Sequence, residues 1–417
     1  MTPYQTWVAA AEPGTRNQHY VALLLFPDQS IAVQDLGEAS IIEEQVRSLR
    51  SALTRPSSNP TTAARALHDQ VLLPLLRYVG KKSELFLSLD GGLHLIPFDA
   101  LHDGRDYLLG RYHFHYITSG RDLLRPPSRQ PAQPALLLAN PDFGRVDPRT
   151  QDSGKKSLYQ RLASLGPLPG TEREARALQV LLGVEPVLTT AATEEVVRGT
   201  RAPWVLHIAT HGLFLQDEDV PMPDQAATVR RESSPQTSRR LEPLASPQAV
   251  ATEPLVLPGG TGLLSRSALV LAGAVRGQQA LSSAHDGLLT AEEARSLDLD
   301  GTQLVVLSSC ESGKGALSVG QGVYGLRRAF LVAGAETLIT SLWQVDDAAT
   351  GELMTMYYRN LLGLKRPGDR LGSMISAMEQ MRRNAGRAHP YYWAPFLVVG
   401  QDGPLRARPG NDPTPAR

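Results

Sequence analysis

Cys310 is the only cysteine in this 417-residue chain, and it stands where an apolar run gives out. Leu304-Val305-Val306-Leu307 leads through Ser308-Ser309 into Cys310-Glu311-Ser312-Gly313. A second run, Val205-Leu206-His207-Ile208-Ala209-Thr210, leads in the same way into His211-Gly212. Each run delivers one reactive side chain to the end of a predicted strand, where ligands bind in open α/β sheets. Glycine and small residues follow, so backbone N–H groups can approach a substrate closely. A thiol beside an imidazole suits covalent catalysis, because a thiol with an ordinary pKa of about 8.5 is mostly protonated at pH 7 and a base must raise its thiolate fraction. The same imidazole can protonate a leaving amine, help worth about 10²–10⁴-fold. The N–H groups of Gly212 and Cys310 are the candidate oxyanion donors. On residue types alone, a lone cysteine behind an apolar strand is more often a small buried hydrophobe.

Composition removes several other chemistries. One thiol makes neither an intramolecular disulfide nor a Cys-based zinc site. Lys and Arg total 42 against 42 Asp and Glu, which argues against a broad electrostatic claim on nucleic acid or acidic membranes. No basic flank with an apolar h-region opens the chain, and no run of about 18 apolar residues occurs, so a cytoplasmic protein without direct membrane insertion is expected. His207 and His211 are four apart, yet they lie along a strand with no H-E-x-x-H glutamate; His207 is read as structural. Gly320-Gln321-Gly322-Val323-Tyr324-Gly325 fits G-x-G-x-x-G, but the preceding strand ends about ten residues too early for a dinucleotide fold.

The elements that must carry these residues follow from periodicity. Trp7–Ala10, Tyr20–Phe26 and Ile31–Val33 read as strands, with Pro27-Asp28-Gln29-Ser30 as a turn. Helical patterns cover Glu38–Leu53 and Thr61–Tyr78, the second with Leu67, Val71, Leu72 and Leu75 on one stripe. Leu85–Leu89 and His94–Pro97 flank Asp90-Gly91-Gly92 as a second predicted hairpin. Beyond the proline-rich stretch 125–134, short apolar strands alternate with helices: strands at 135–139, 186–188, 205–209, 304–307, 337–342 and 396–399, helices at 172–182, 193–200, 292–297, 324–333, 348–362 and 373–384. That alternation predicts an α/β layered fold around a mostly parallel sheet. The segment 216–258 holds seven prolines and no aromatic residue and reads as a flexible insert. The stretch 401–417, rich in Pro, Gly and Arg, reads as a disordered tail.

Taken together, His207-Ile208-Ala209-Thr210-His211-Gly212 and Val306-Leu307-Ser308-Ser309-Cys310-Glu311-Ser312-Gly313 resemble the CHAT family, a branch of caspase-like cysteine proteases related to separase. Further similar pieces follow in order: Asp90–Phe98, Leu168-Pro169-Gly170-Thr171-Glu172, Ser267–Ala272, Gly287–Glu293, Ala329–Ala335, Ser341-Leu342-Trp343-Gln344-Val345-Asp346-Asp347-Ala348 and His389–Phe396. The resemblance covers about residues 85–400. It departs from the family at Ser309, where alanine is frequent, and at Ser312, where threonine is frequent. It implies a three-layer caspase-haemoglobinase-like fold and peptide-bond hydrolysis through a thioester, without metal or organic cofactor. Cys310 would be the nucleophile and His211 the general base. It further implies a non-catalytic caspase-like half at 1–125 beside a catalytic half at 126–400.

The resemblance to separase-like relatives, in which an acidic residue near the Trp-x-Val-x-Asp phrase shapes a pocket for a basic residue before the scissile bond, implies Asp346 and Asp347 as candidates for such a pocket, with Glu311 beside the nucleophile; equally, Asp346 or Asp347 caps the helix near Ala348. The paired arginines ending at Arg231 and Arg240 are candidate self-cleavage sites. The implied partner is a protein substrate, with a gasdermin-like protein in antiphage defence as one case, and a separate sensor or activator. The rival expectation is a catalytically silent scaffold of the same fold that binds a partner protein.

Overall fold

The computed structural model describes residues 4–10, 18–144, 162, 165–214, 267–275, 286–308, 310–311, 319–363, 368–406 and 408. The insert 216–258, with Arg231 and Arg240, lies outside the described residues. In chain order the first half contains β1 (Tyr4–Ala10), β2 (His19–Leu25), β3 (Ile31–Glu38), α1 (Ala39–Leu53), α2 (Thr61–Leu67), α3 (Leu76–Val79), β4 (Glu84–Ser88) and β5 (His113–Tyr116). The second half begins with β6 (Leu136–Pro141), α4 (Pro169–Leu182), β7 (Val187–Thr189), α5 (Glu194–Gly199), β8 (Val205–Ala209), β9 (His211–Phe214), β10 (Ser267–Val270) and β11 (Leu288–Thr290). It continues with α6 (Ala291–Ala294), β12 (Leu304–Leu307), β13 (Cys310–Glu311), α7 (Val319–Val332), β14 (Thr337–Ser341), α8 (Asp347–Leu361), α9 (Arg370–Arg383), α10 (Pro390–Trp393) and β15 (Phe396–Gly400).

Eleven strands form one sheet in the order β3-β2-β1-β4-β5-β15-β14-β12-β8-β6-β7, and a second sheet has the order β11-β10-β9-β13. The expected α/β architecture with a mostly parallel sheet is the one found. Strands β7, β6, β8, β12 and β14 are parallel to their neighbours, and β15 runs antiparallel to β14. Because β15, β5, β4 and β1 are mutually parallel and β2 is antiparallel to both β1 and β3, the strands of the first half other than β2 point opposite to β8 and β12. The sheet is covered on both faces. Alternate residues of β12 divide between two cores: Leu304 and Val306 pack with α4, α8 and α9, whereas Val305 and Leu307 pack with α5, α6 and α7. The first of these cores also holds Ile42, Val46, Leu85 and Phe114, so it continues across the β5–β15 junction and past the expected boundary near residue 125.

Three expectations need correction. The helix predicted over Thr61–Tyr78 is interrupted: His68–Leu72 forms a π-turn and Leu73–Leu75 a 3₁₀ turn before α3. Pro74 lacks an N–H and its ring clashes with the carbonyl four residues back, and the wider turn absorbs it. Leu67, Val71, Leu72 and Leu75 are nonetheless all buried. The hairpin at Asp90-Gly91-Gly92 does not form. Gly91–Leu95 is a 3₁₀ turn, held where Glu43 of α1 accepts from Gly92 N at 2.9 Å and Asp90 accepts from Gly91 N at 2.8 Å. Finally, residues 401–406 are ordered against the sheet. Arg406 pairs with both carboxylate oxygens of the buried Glu336 at 2.6 and 3.1 Å, and its carbonyl accepts from Trp204 Nε1 at 3.1 Å. Composition predicted a loose tail; a buried carboxylate that already binds Arg370 explains why it docks.

Candidate active site

The two chemistry-bearing runs are neighbours in the large sheet. β8 and β12 pair in parallel with His207 opposite Val306 and Ile208 opposite Leu307, and Ser308 N donates to Ile208 O at 2.9 Å. β8 then stops at Ala209. The buried Thr210 donates its hydroxyl to Val270 O, and the chain resumes at His211 as β9 in the second sheet. In that sheet β13 pairs with β9 in parallel, with Cys310 opposite His211 and Glu311 opposite Gly212. Hydrogen-bonded strands lie about 4.8 Å apart, so the backbones of Cys310 and His211 are one strand spacing apart.

His211 is 7% exposed. Its Nε2 lies 3.1 Å from the carbonyl oxygen of Gly166. A carbonyl only accepts, so Nε2 carries the hydrogen and Nδ1 is the lone-pair nitrogen. Nδ1 is buried and has no hydrogen-bond partner among the described residues. The Phe143 ring packs against the imidazole with centroids 5.3 Å apart. Burial pushes the imidazole pKa below its ordinary value, and the Gly166 carbonyl and the Asp347 carboxylate partly restore it. The result is a neutral ring with one open acceptor.

His207 has the opposite character. It is fully buried, with Nε2 3.0 Å from Glu174 Oε1 and Nδ1 3.2 Å from the Tyr358 hydroxyl. The Ser308 hydroxyl donates to the other oxygen of Glu174 at 3.2 Å. Both nitrogens of His207 are therefore committed, which fits its structural reading. On a continuous strand residues four apart would share a face; the break at Thr210 is what gives the two histidines different surroundings.

The N-terminus of α4 shapes the rest of the site. Asn140, next to last in β6, has φ +46°, tolerable for this residue type, and its side-chain oxygen accepts from Leu168 N at 3.0 Å. Pro169 occupies the first helical turn, where its missing N–H costs nothing. A Cβ on Gly170 would come within 2.0 Å of Asp347 Cβ, so only glycine lets the starts of α4 and α8 touch. A groove of about 470 Å³ runs between these two helices, lined by Arg173, Glu174, Asp347, Gly351 and Arg359 among others.

The acidic candidates separate. Asp346 caps α8, accepting from Ala348 N at 2.9 Å, and pairs with Arg387 at 2.9 Å; that pairing first, then the cap, holds its carboxyl below the usual range despite some desolvation. Asp347 is free of those duties and faces Gly170 and His211. The backbone of Glu311 sits beside Gly212. Gly320–Gly325 lies within α7, not in a phosphate-binding loop after a strand. Among the described residues no cluster of His, Cys, Asp and Glu is arranged to hold a metal ion, and no helix is long and apolar enough to cross a membrane.

Sequence reasoning missed Gly166, Phe143 and Glu174. Glu174 left a signal, because it shares the apolar stripe of its helix with Leu178 and Leu182, and a carboxylate on such a stripe must find buried partners. Gly166 and Phe143 left none.

Comparison with known proteins adds to this geometry. A family model described as "CHAT domain" matches residues 61–401. Human tetratricopeptide repeat protein 28 is 29% identical over 373 residues, which is 85% of this chain and 14% of the human protein. The mouse protein of the same name is 27% identical over 394 residues, 87% of this chain and 15% of its own length. The chain thus spans about one seventh of each curated relative. Among solved structures, the Arg-specific cysteine proteinase gingipain R (RgpB, Porphyromonas gingivalis) aligns over 89% of this chain and 77% of its own, with 9% identity and a TM-score of 0.43. Separase from the Saccharomyces cerevisiae separase–securin complex aligns over 76% of this chain and 16% of its own, with 10% identity and a TM-score of 0.36.

Proposed function

The chain belongs to the CHAT domain family, and from that premise we propose that it is a cysteine endopeptidase with Cys310 as nucleophile and His211 as general base. The observation that carries this reading is the in-register pairing of Cys310 with His211 across β13 and β9, beside an imidazole whose Nδ1 has no other partner among the described residues. In the reaction, Nδ1 takes the thiol proton as sulfur attacks the peptide carbonyl. The oxyanion is held by the N–H groups of Cys310 and Gly212. Collapse forms the thioester and expels the amine, which receives the proton from His211. Water, deprotonated by the same nitrogen, then hydrolyses the thioester and regenerates the thiol.

Preference for a basic residue before the scissile bond rests on Asp347, with Glu311 beside the nucleophile. Asp346 is the weaker candidate because its carboxylate is already shared by a helix cap and Arg387. Cleavage after Arg231 or Arg240 would be the intramolecular form of the same preference. The wider role is cleavage of a protein partner, with a gasdermin-type substrate in bacterial antiphage defence as the specific case and a separate sensor as trigger.

The second reading, a catalytically silent CHAT module that binds a partner, draws on the curated relatives, which are named for tetratricopeptide repeats and not for an activity. A thiol-directed activity probe separates the two. Labelling that is lost in Cys310→Ala and weakened in His211→Ala supports the peptidase; wild type that stays unlabelled with its partner present supports the scaffold. A positional peptide library reads the pocket, and selection of apolar or acidic residues would discard the basic preference. Intact masses of wild type and Cys310→Ala after long incubation test self-cleavage, and identical unbroken chains would count against it.

A further inference from the structure

Four buried polar side chains lie on or against the strands that lead into Cys310 and His211 and take no part in the chemistry above. Glu174 on α4 is 2% exposed and His207 on β8 is fully buried. Ser308, just past β12, is 4% exposed, and Tyr358 on α8 is enclosed in the core. With Glu174 as a carboxylate, the hydrogens of this set follow from valence. Ionised Glu174 can only accept, so His207 donates from Nε2 to Oε1 and Ser308 donates to Oε2. That leaves Nδ1 of His207 as an acceptor for the Tyr358 hydroxyl. Every donor in the chain has an acceptor, the condition under which a buried network rigidifies its surroundings.

The placement matters more than the count. His207 on β8 lies four residues before His211 at the start of β9, and Ser308 lies two before Cys310 at the start of β13. One carboxylate therefore links the two strands, β8 and β12, that lead into the pair. The same helix is led in by the segment whose Gly166 carbonyl holds His211 Nε2. Helix α8, which supplies Tyr358, begins at the Asp347 contact with Gly170. A carboxylate buried among apolar side chains is costly, and a hydrophobic residue on the α4 stripe would pack the same space. We propose that Glu174 is a positioning residue for catalysis: with His207, Ser308 and Tyr358 it fixes the spacing of β8 and β12, and through them holds His211 against Cys310. This rests on the dyad reading, and the test is chosen to tell the two apart.

Because Cys310 is the only cysteine, alkylation of the intact chain by iodoacetamide reports that thiol alone and needs no substrate. Its rate as a function of pH measures how far the imidazole promotes the thiolate. Glu174→Gln removes the charge and cannot accept at both positions; its alkylation rate at neutral pH should fall roughly tenfold. Ser308→Ala and Tyr358→Phe each delete one hydroxyl and should each lose about threefold. Ser308→Ala added to Glu174→Gln should cost nothing further, since the bridge is already broken. With a peptide substrate the same variants should lower kcat and leave KM unchanged. Val180→Ala, on the exposed side of α4, should match wild type.

Variants that lose stability but keep the wild-type alkylation curve would overturn the proposal and leave the dyad standing. A wild-type curve like that of an ordinary thiol, unmoved by His211→Ala, would overturn both. If Glu174→Gln does not fold, the two hydroxyl deletions decide the matter, and unchanged curves in both would overturn it.

Discussion

The β1–β5 half and the β6–β15 half of the large sheet are built from the same parts, strands backed by helices over one shared core, yet they treat buried polar groups differently. In the first half His113 and the buried His115 share Glu84 at 2.8 and 2.6 Å across β4 and β5, while other buried groups are settled locally or left isolated. His68 pairs with the adjacent Asp69, and His102 Nδ1 accepts from Gly104 N two residues on. Asp99 has a buried carboxylate oxygen with no partner among the described residues, and burial pushes its pKa up to about 7. In the second half Glu174, His207, Ser308 and Tyr358 are linked into one network at two strand ends. Strand direction explains part of the contrast. Strands β1, β3, β4 and β5 of the first half run opposite to β8 and β12, so their carboxyl ends emerge at the other end of the sheet. A layered α/β half becomes a site where strand ends converge and a polar network fixes them; burial of polar groups alone does not suffice.

The strongest way to break this contrast is to exchange histidines. His211→Ala should reduce peptidase kcat/KM by about 10²–10⁴-fold, whereas His19→Ala, on the exposed β2–β3 surface, should stay near wild type. Equal losses in steady-state assays would erase the distinction. Next in size is glycine packing. Gly170→Ala drives a Cβ into Asp347 and should cost about 1–3 kcal/mol in urea unfolding. Gly120→Ala meets nothing within 4 Å and should be neutral within about 0.5 kcal/mol.

Titration sharpens the comparison further. Asp99 is raised from 3.8 to about 7 by burial. Folding thus favours its protonated form, and its contribution is fully present below the unfolded pKa and lost as pH rises to about 7. Asp99→Asn should flatten that decline in unfolding free energy measured across the window, and an unchanged slope would remove Asp99 as its source. The smallest effect belongs to Asp347. Burial lowers the His211 pKa, so the acid limb of kcat/KM should lie below the ordinary histidine value of about 6.5. Asp347→Asn removes a neighbour that favours the imidazolium and should move the limb further to acid. A shift toward alkaline pH would show that Asp347 acts on something else.

The sequence by itself determined the α/β class, because short apolar runs alternating with amphipathic patterns admit little else. It also determined the two candidate reactive positions, since a unique Cys310 and a His211-Gly212 step both follow such runs. Local chemistry marked the start of α8 as well, through Asp346, whereas the helix expected from residue 172 begins at Pro169. Where local pattern misled, a distant contact had prevailed: Glu43 of α1 turned the Asp90-Gly91-Gly92 step into a 3₁₀ turn, and Glu336 drew in residues 401–406.

Which histidine keeps an unpartnered nitrogen among the described residues is a matter of long-range contacts. His207 and His211 are the same side chain four residues apart, and their difference lies in partners the local sequence does not contain. Glu174 and Tyr358 reach His207 from 33 and 151 residues away, and Gly166 reaches His211 from 45. An imidazole has two nitrogens, and what remains for chemistry is whichever one the fold has not already engaged.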